Sequence, residues 1–319
     1  MNTLATSRKS AVFTKMQSLT SLVSESAFTP MVGESKVPVL VAPDELAATF
    51  IGHSSFFLQI GGRNVLIDPV FSARLIALRR LRRPGIRIPD LPPIDLVLLT
   101  HAHMDHLNPP SLRRVIAHNQ HLVGRAPAVV TPWGVEDLVS GMGFSRVTTL
   151  EWWQEMRIAG LDITMTPSKH WGARFFKDTH RGYGGYVLRS NDHSIYHSGD
   201  TAYFDGFSKI GKRLHPQLAL LPIGAYQPDN YRAVHTSPEE ALQGFLDLGA
   251  ERMIPMHYGT FRLSQEPVDE PIQRLRAAAK HAGVASRICV LPEGETEIIA
   301  ESERISPLHR ASKVKKPLR

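Results

Sequence analysis

From Thr100 to His106 the chain reads Thr-His-Ala-His-Met-Asp-His, and four of those side chains, His101, His103, Asp105 and His106, are metal-ligand types. Imidazole and carboxylate suit Zn²⁺ and other borderline divalent ions. An H-x-H-x-D-H spacing lets alternate residues point to different sides of a loop, so two ions can be held side by side. The apolar run Leu96-Val97-Leu98-Leu99 directly precedes the cluster and reads as a strand that ends in a metal-binding loop. A solvated His-rich turn is the bland alternative for such a motif. It loses ground because three more segments close strand-like runs with candidate ligands: Pro167-Ser168-Lys169-His170-Trp171, His197-Ser198-Gly199-Asp200-Thr201 and Pro255-Met256-His257-Tyr258-Gly259.

With these motifs in this order, the chain resembles the metallo-β-lactamase fold superfamily from roughly Phe50 to Ile299. Carried over residue by residue, the resemblance makes His101, His103 and His170 the ligands of a first metal. It makes Asp105, His106 and His257 the ligands of a second, and Asp200 the carboxylate shared by both. Every ligand position is filled, which favours an enzyme over a binding-only relative. The runs Gly52-His53-Ser54-Ser55, Asp68-Pro69-Val70-Phe71-Ser72, Leu91-Pro92-Pro93-Ile94-Asp95, His170-Trp171, Pro222-Ile223-Gly224-Ala225-Tyr226 and His235-Thr236-Ser237-Pro238-Glu239 are narrower. With His257-Tyr258-Gly259-Thr260-Phe261 they are similar to the N-acyl phosphatidylethanolamine-hydrolysing phospholipase D branch.

That resemblance implies a phosphodiesterase acting on N-acyl phosphatidylethanolamine or a related phospholipid, with Asp105 and His235 as catalytic residues. His235 would give a proton to the departing alkoxide or a hydrogen bond to a phosphate oxygen. His53 reads as a hydrogen-bonded or structural neighbour of the site. Asp68 reads either as a carboxylate that orients a ligand imidazole or as an ordinary turn aspartate. Trp171, Tyr203 and Tyr226 are candidates for the cleft wall or for the core.

Two divalent ions, Zn²⁺ first and Mn²⁺ or Fe as alternatives, would leave positions for a bridging hydroxide as the nucleophile. A phosphodiester suits that centre. So does a small soluble ester, such as a sugar-phosphate lactone or cyclic phosphodiester, and this is the alternative substrate class. A nuclease is disfavoured, and no nucleic-acid partner is expected, because the basic charge of the chain is local. A non-enzymatic role, with metals holding only the fold, fits a filled ligand set least well.

The elements that must position these residues are legible in outline. Thr49 to Ile60 and Val65 to Asp68 read as strands joined by Gly61-Gly62-Arg63-Asn64, and Leu96 to Thr100 as a buried third. Further strand candidates are Ala128 to Thr131, Thr148 to Trp152, Leu161 to Thr166, Gly185 to Leu188, Ser194 to His197 and Leu218 to Pro222. Ser237-Pro238-Glu239-Glu240 is an N-cap, a proline at the first helical position and a capping-box glutamate, so a helix runs from there to near Gly249. A second helix runs from Glu270 to His281. Strands separated by helices in both halves support a two-sheet core with outer helices. The resemblance makes this α/β fold an αββα sandwich of two mixed sheets, with its ligands on loops at one edge.

With 319 residues, 42% of them hydrophobic, the chain can bury one sizeable core. The reading is a hydrolase domain over 47–303, a flexible or loosely docked arm over 1–46 and a basic tail over 304–319. Cys289, the single cysteine, excludes an internal disulfide, and in Ile288-Cys289-Val290-Leu291 it reads as an inert thiol in a strand. No run approaches the ~18 apolar residues of a membrane span, and no secretory core is present near the start. A cytoplasmic location is therefore expected, with peripheral contact at a membrane surface. The net charge of +7 hides two local clusters: six arginines between Arg74 and Arg87, and six basic residues from Arg304 to Arg319, both without an acid. Leu75, Ile76, Leu78 and Leu81 interleave with the first, so Arg74–Arg87 is expected to form an amphipathic basic helix at a membrane surface.

Overall fold

In the computed structural model, which describes residues 22–175, 178–191 and 193–299, buried apolar side chains alternate between two faces of each sheet. Leu58, Val65 and Leu96 enter one core, whereas their neighbours Phe57, Leu66 and Val97 enter another. Successive strand side chains point to opposite faces, so a sheet that is apolar on both must be covered on both.

In chain order, β1 (Leu46–Gly52), β2 (Ser55–Ile60) and β3 (Arg63–Ile67) are followed by a small hairpin, β4 (Arg74–Leu75) and β5 (Leu78–Arg79). Then come β6 (Leu96–Leu98), α1 (Pro109–Val123), β7 (Ala128–Pro132) and β8 (Arg146–Leu150). The second half holds β9 (Glu155–Ile158), β10 (Leu161–Thr166), β11 (Gly185–Ser190), β12 (His193–His197), α2 (Gly206–Leu214), β13 (Leu218–Pro222), α3 (Pro238–Leu248), β14 (Arg252–Met256) and α4 (Glu270–His281). β15 (Thr296–Ile299) returns to the first sheet, whose order is β15-β1-β2-β3-β6-β7-β8. The second sheet is ordered β14-β13-β12-β11-β10-β9.

Both sheets are mixed. β3, β6, β7 and β8 are mutually parallel, as are β12, β13 and β14, and the other pairings are antiparallel. One core lies between the sheets, with Phe50, Leu58, Val65 and Leu98 facing Met165, Tyr186, Leu220 and Ile254. A second lies between the first sheet and α1, and a third between the second sheet and α2, α3 and α4. This is the αββα layering that the family resemblance implied.

The site follows from strand direction. β1, β3 and β6 run the same way in the first sheet, and β10, β12, β13 and β14 do so in the second. His53, Asp68, the His101–His106 loop, His170, Asp200 and His257 all follow C-terminal strand ends, and the fold gathers them at one edge. Local signals secure the helices beside it. Asn108 caps α1 immediately after the ligand loop, accepting a hydrogen bond from Ser111 N. Ser237 and Glu240 form the expected capping box at α3, and Gly249 closes that helix at φ 66°.

Several expectations are corrected. Thr49 to Ile60 is not one strand but the hairpin of β1 and β2, turned at Gly52 (φ 122°) and His53 (φ 60°). Arg74–Arg87 forms the β4–β5 hairpin rather than a helix, because Leu75 and Leu78 pair across it and both pack with Val70 and Phe261. Its arginines are dispersed: Arg80 is fully buried, Arg82 lies near Asp269 and Glu293, and Arg87 pairs with Asp90. Ile288 to Leu291 is no strand; Ile288 makes a single bridge to Met253. Residues 22–45 of the expected arm are docked, with Val32 N on Leu81 O and Lys36 N on Gly85 O. The start of that arm, residues 1–21, and the 304–319 tail lie outside the described residues.

Candidate metal centre

The ligand loop is held from below by Asp68, at the end of β3. Its carboxylate accepts from Thr100 N (2.8 Å), Thr100 Oγ1 (2.6 Å) and His106 Nδ1 (2.6 Å). A carboxylate only accepts, so His106 carries a proton on Nδ1 and turns Nε2 into the site. Thr100 passes the effect on: its hydroxyl proton goes to Asp68, so its oxygen accepts from His101 Nδ1 at 2.9 Å. His170 repeats the device, donating Nδ1–H to Val234 O at 2.9 Å. Three imidazoles from two segments therefore aim Nε2 at one space.

In that space two ligand groups form, each with its donor atoms within 4.8 Å of one another. The first is His101, His103, His170 and Asp200. His103 Nδ1 lies 2.9 Å from His101 Nε2 and 3.3 Å from His170 Nε2. The second group is Asp105, His106 and His257, together with His53. Asp200 stands between them, with Oδ1 3.3 Å from His106 Nε2 and Oδ2 3.0 Å from His257 Nε2 and 3.8 Å from His170 Nε2. Gly224 lets β13 and β14 close up beside His257, since a Cβ there would sit 2.2 Å from His257 O. All seven residues named as ligands in the sequence are thus brought together, and His235 joins them with Nδ1 3.9 Å from Asp200 Oδ2.

The donor set fits divalent cations. His106 Nε2, His257 Nε2 and Asp200 Oδ1 are buried without a hydrogen-bond partner, which is costly unless a ligand uses them. Burial drives His101 and His170 well below the usual imidazole pKa. Burial also opposes charge on His257 and His106, yet Asp200 and Asp105 override it, raising His257 to about 9 and His106 well above its ordinary value. Those protons balance two carboxylates that, despite burial, stay well below their usual range beside His106 and its neighbours. A divalent ion meets the same demand for positive charge without them.

The cluster floors a cleft of about 380 Å³. Trp171 forms one wall, its ring 4.7 Å from His103 and 4.3 Å from His170. Tyr231, Val234, His235 and Leu263 form the other. Tyr226 is buried and bonds Glu270, and Tyr203 bonds Asp247, so neither lines the cleft. Burial lowers His235 to about 4, leaving a neutral imidazole at the wall. His118, His193 and His197 are engaged by carbonyls of Leu91, Asp44 and Ser54.

Four contributors were not identified from the sequence. Tyr231 and Leu263 reach the wall from loops with no motif of their own. Arg174 Nη1 donates to Ala102 O (2.7 Å) and Leu107 O (2.9 Å), pinning both ends of the ligand loop to the segment that follows His170. Buried Glu266 accepts from Ala225 N (2.6 Å) and Gln227 N (3.1 Å), fixing the loop that leads to His235. Only the basic or acidic residue type is visible in sequence; the carbonyls and amides they meet are tertiary.

An αββα sandwich with an edge cluster of histidines and aspartates marks out a candidate metal centre. Residues 63–258 match the Beta-lactamase superfamily domain. An uncharacterised protein of Mycobacterium tuberculosis is 37% identical over 258 residues, covering 75% of this chain and 66% of that protein. The mitochondrial N-acyl-phosphatidylethanolamine-hydrolyzing phospholipase D of Saccharomyces cerevisiae is 31% identical over 288 residues, covering 84% and 60%. The chain thus spans less than two thirds of the length of either. Among solved structures, the metallo hydrolase Igni18 of Ignicoccus hospitalis superposes with a TM-score of 0.61 at 25% identity, covering 80% of this chain and 99% of that one. The chain belongs to the beta-lactamase superfamily.

Proposed function

We propose that the chain hydrolyses a phosphodiester bond in a phospholipid, in the manner of a phospholipase D, with N-acyl phosphatidylethanolamine as the first substrate to test. The observation that carries this reading is the cleft: a floor of paired ligand groups lies open between apolar walls of Trp171, Val234 and Leu263. The likeness to the yeast phospholipase D, over most of this chain, supports the same class.

His101, His103 and His170 would hold one divalent ion, Asp105, His106 and His257 a second, and Asp200 both; Zn²⁺ is the first candidate. When bound, such ions would lower the pKa of a coordinated water to about 7 and polarise a phosphoryl oxygen. The chain supplies the remainder. Asp68, Thr100 and Val234 O hold the ligand imidazoles in one tautomer. His235, unpartnered at Nδ1 and set in the wall as a neutral imidazole, donates a hydrogen bond to a phosphate oxygen. Trp171 and Leu263 cover the apolar part of the substrate and exclude water.

Peripheral contact of the Arg74–Arg87 segment with a bilayer belongs to this proposal. Ile76 is 78% exposed at the hairpin tip, with Arg74 beside it, while Leu78 and Leu263 of the cleft wall pack against the same cluster of Val70, Leu75 and Phe261. Among the described residues no helix is long and apolar enough to cross a membrane. The alternative substrate class, a small soluble ester, is favoured by one observation: neither Leu75, Ile76 nor Leu78 lines the cleft itself.

The test is product analysis after incubating zinc-loaded protein with N-acyl phosphatidylethanolamine in mixed micelles, beside a His103→Ala control. Phosphatidic acid and the N-acylethanolamine released by the wild type alone support the reading. No turnover by protein with bound metal moves the assignment to the soluble ester.

A further inference from the structure

His53 lies in the turn between β1 and β2 and is 1% exposed. Its three polar handles reach three different segments. The side chain places Nε2 2.9 Å from Asp105 Oδ2, on the ligand loop of the first sheet. The backbone oxygen accepts from His257 N at 2.9 Å, on the loop that closes β14 of the second sheet. The backbone N–H donates to Thr260 Oγ1 at 2.7 Å. The ring packs 4.2 Å from that of His257. All this needs a left-handed backbone, φ 60°, which a non-glycine residue adopts only where its surroundings hold it there.

Two ligands of one ion position, Asp105 and His257, therefore arrive from different sheets and are tied together by a single residue. No comparable strut joins His53 to His101, His103 or His170. We propose that His53 is the positioning residue of the Asp105–His106–His257 position alone, its Nε2–H aiming the Asp105 carboxylate, so that it governs the occupancy of one ion position and not the other. The inference rests on the two-ion reading of the cluster.

The pair His53→Asn and His53→Gln tests it. Asparagine tolerates the left-handed backbone, but its amide stops at the reach of imidazole Nδ1. The glutamine amide extends to the position of Nε2 and restores the donor. Zn²⁺ is titrated into metal-free protein against a chromophoric chelator, with a thermal melt of each metal-free variant as the folding control. The expected result is two ions in the wild type and, in His53→Asn, one unchanged affinity and one weakened by about 10- to 100-fold, the usual range for lost partners of metal ligands. His53→Gln regains most of the weaker affinity. Unchanged binding in His53→Asn overturns the proposal, as does an equal loss at both positions, which marks a general structural role. Failure of His53→Gln to recover also overturns it, since direct ligation by the imidazole then explains the loss. A wild type that takes up a single ion removes the two-ion reading itself, and is told apart by that control.

Discussion

Asp68 Oδ2 lies 2.6 Å from His106 Nδ1, and both side chains are fully buried. That carboxylate also holds Thr100, and through it His101, so one aspartate at the end of β3 sets the tautomer of a ligand in each metal group. Asp68→Asn is expected to weaken metal binding by about 10- to 100-fold. Competition with a chelator measures it, and wild-type affinity would show that the imidazoles need no such support.

His235→Gln keeps Val234 O, which orients His170, and removes only the imidazole. Turnover should fall by about 10²- to 10³-fold with metal content unchanged. Steady-state kinetics beside elemental analysis separates the two. Loss of metal together with activity would instead make His235 a ligand.

Trp171 is 43% exposed and stands over His103 and His170 without bonding either. Trp171→Ala should raise KM roughly tenfold, about 1.4 kcal/mol, with little change in kcat. An effect confined to kcat would contradict its place in the cleft wall.

Metal-free protein carries a pH signature. His257 is raised from 6.5 to about 9 by Asp200 and Asp105, against the effect of burial. A raised folded-state value stabilises below the unfolded one, so this contribution is present below pH 6.5 and lost as pH rises through about 9. Metal-free protein should lose stability across that window while metal affinity increases, because fewer protons must be displaced. Thermal melts at both ends, and buffer-dependent binding enthalpies, check the two halves. A metal-free melt flat across the window would contradict the charge balance described for the cluster.

Arg80 is buried beneath the β4–β5 hairpin and donates to Val70 O, Ile51 O and Arg82 O. Its burial lowers the guanidinium to about 10, with Glu293 in partial compensation. Arg80→Met relieves that desolvation but leaves buried carbonyls without donors, at ~1–3 kcal/mol each. A net loss of about 2–4 kcal/mol is expected in urea unfolding, and a change under ~0.5 kcal/mol would remove the hairpin's anchoring role.

Why these features differ in legibility is a matter of range. His101 to His106, His170, Asp200 and His257 stand out because each ends an apolar strand, and strand ends are where a two-sheet fold delivers polar side chains. The Ser237–Glu240 cap is likewise local. The Gly52–His53 turn is marked by the run Gly52-His53-Ser54-Ser55, but the fully buried strands on either side of it read together as one long stretch. At Arg74–Arg87, leucines spaced three apart mimic a helix, and packing with Val70 and with Phe261 and Leu263, the last two distant in sequence, decides for a hairpin. Arg174 and Glu266 act on backbone atoms brought close by the tertiary fold, which no residue pattern announces.

The account stands on a centre for two ions. Elemental analysis of zinc-loaded wild type and Asp200→Ala tests it most directly. Two ions per chain in the wild type, with loss of both or all but one in Asp200→Ala, is the predicted result; a wild type that binds one ion or none, or an Asp200→Ala protein that still binds two, would contradict it.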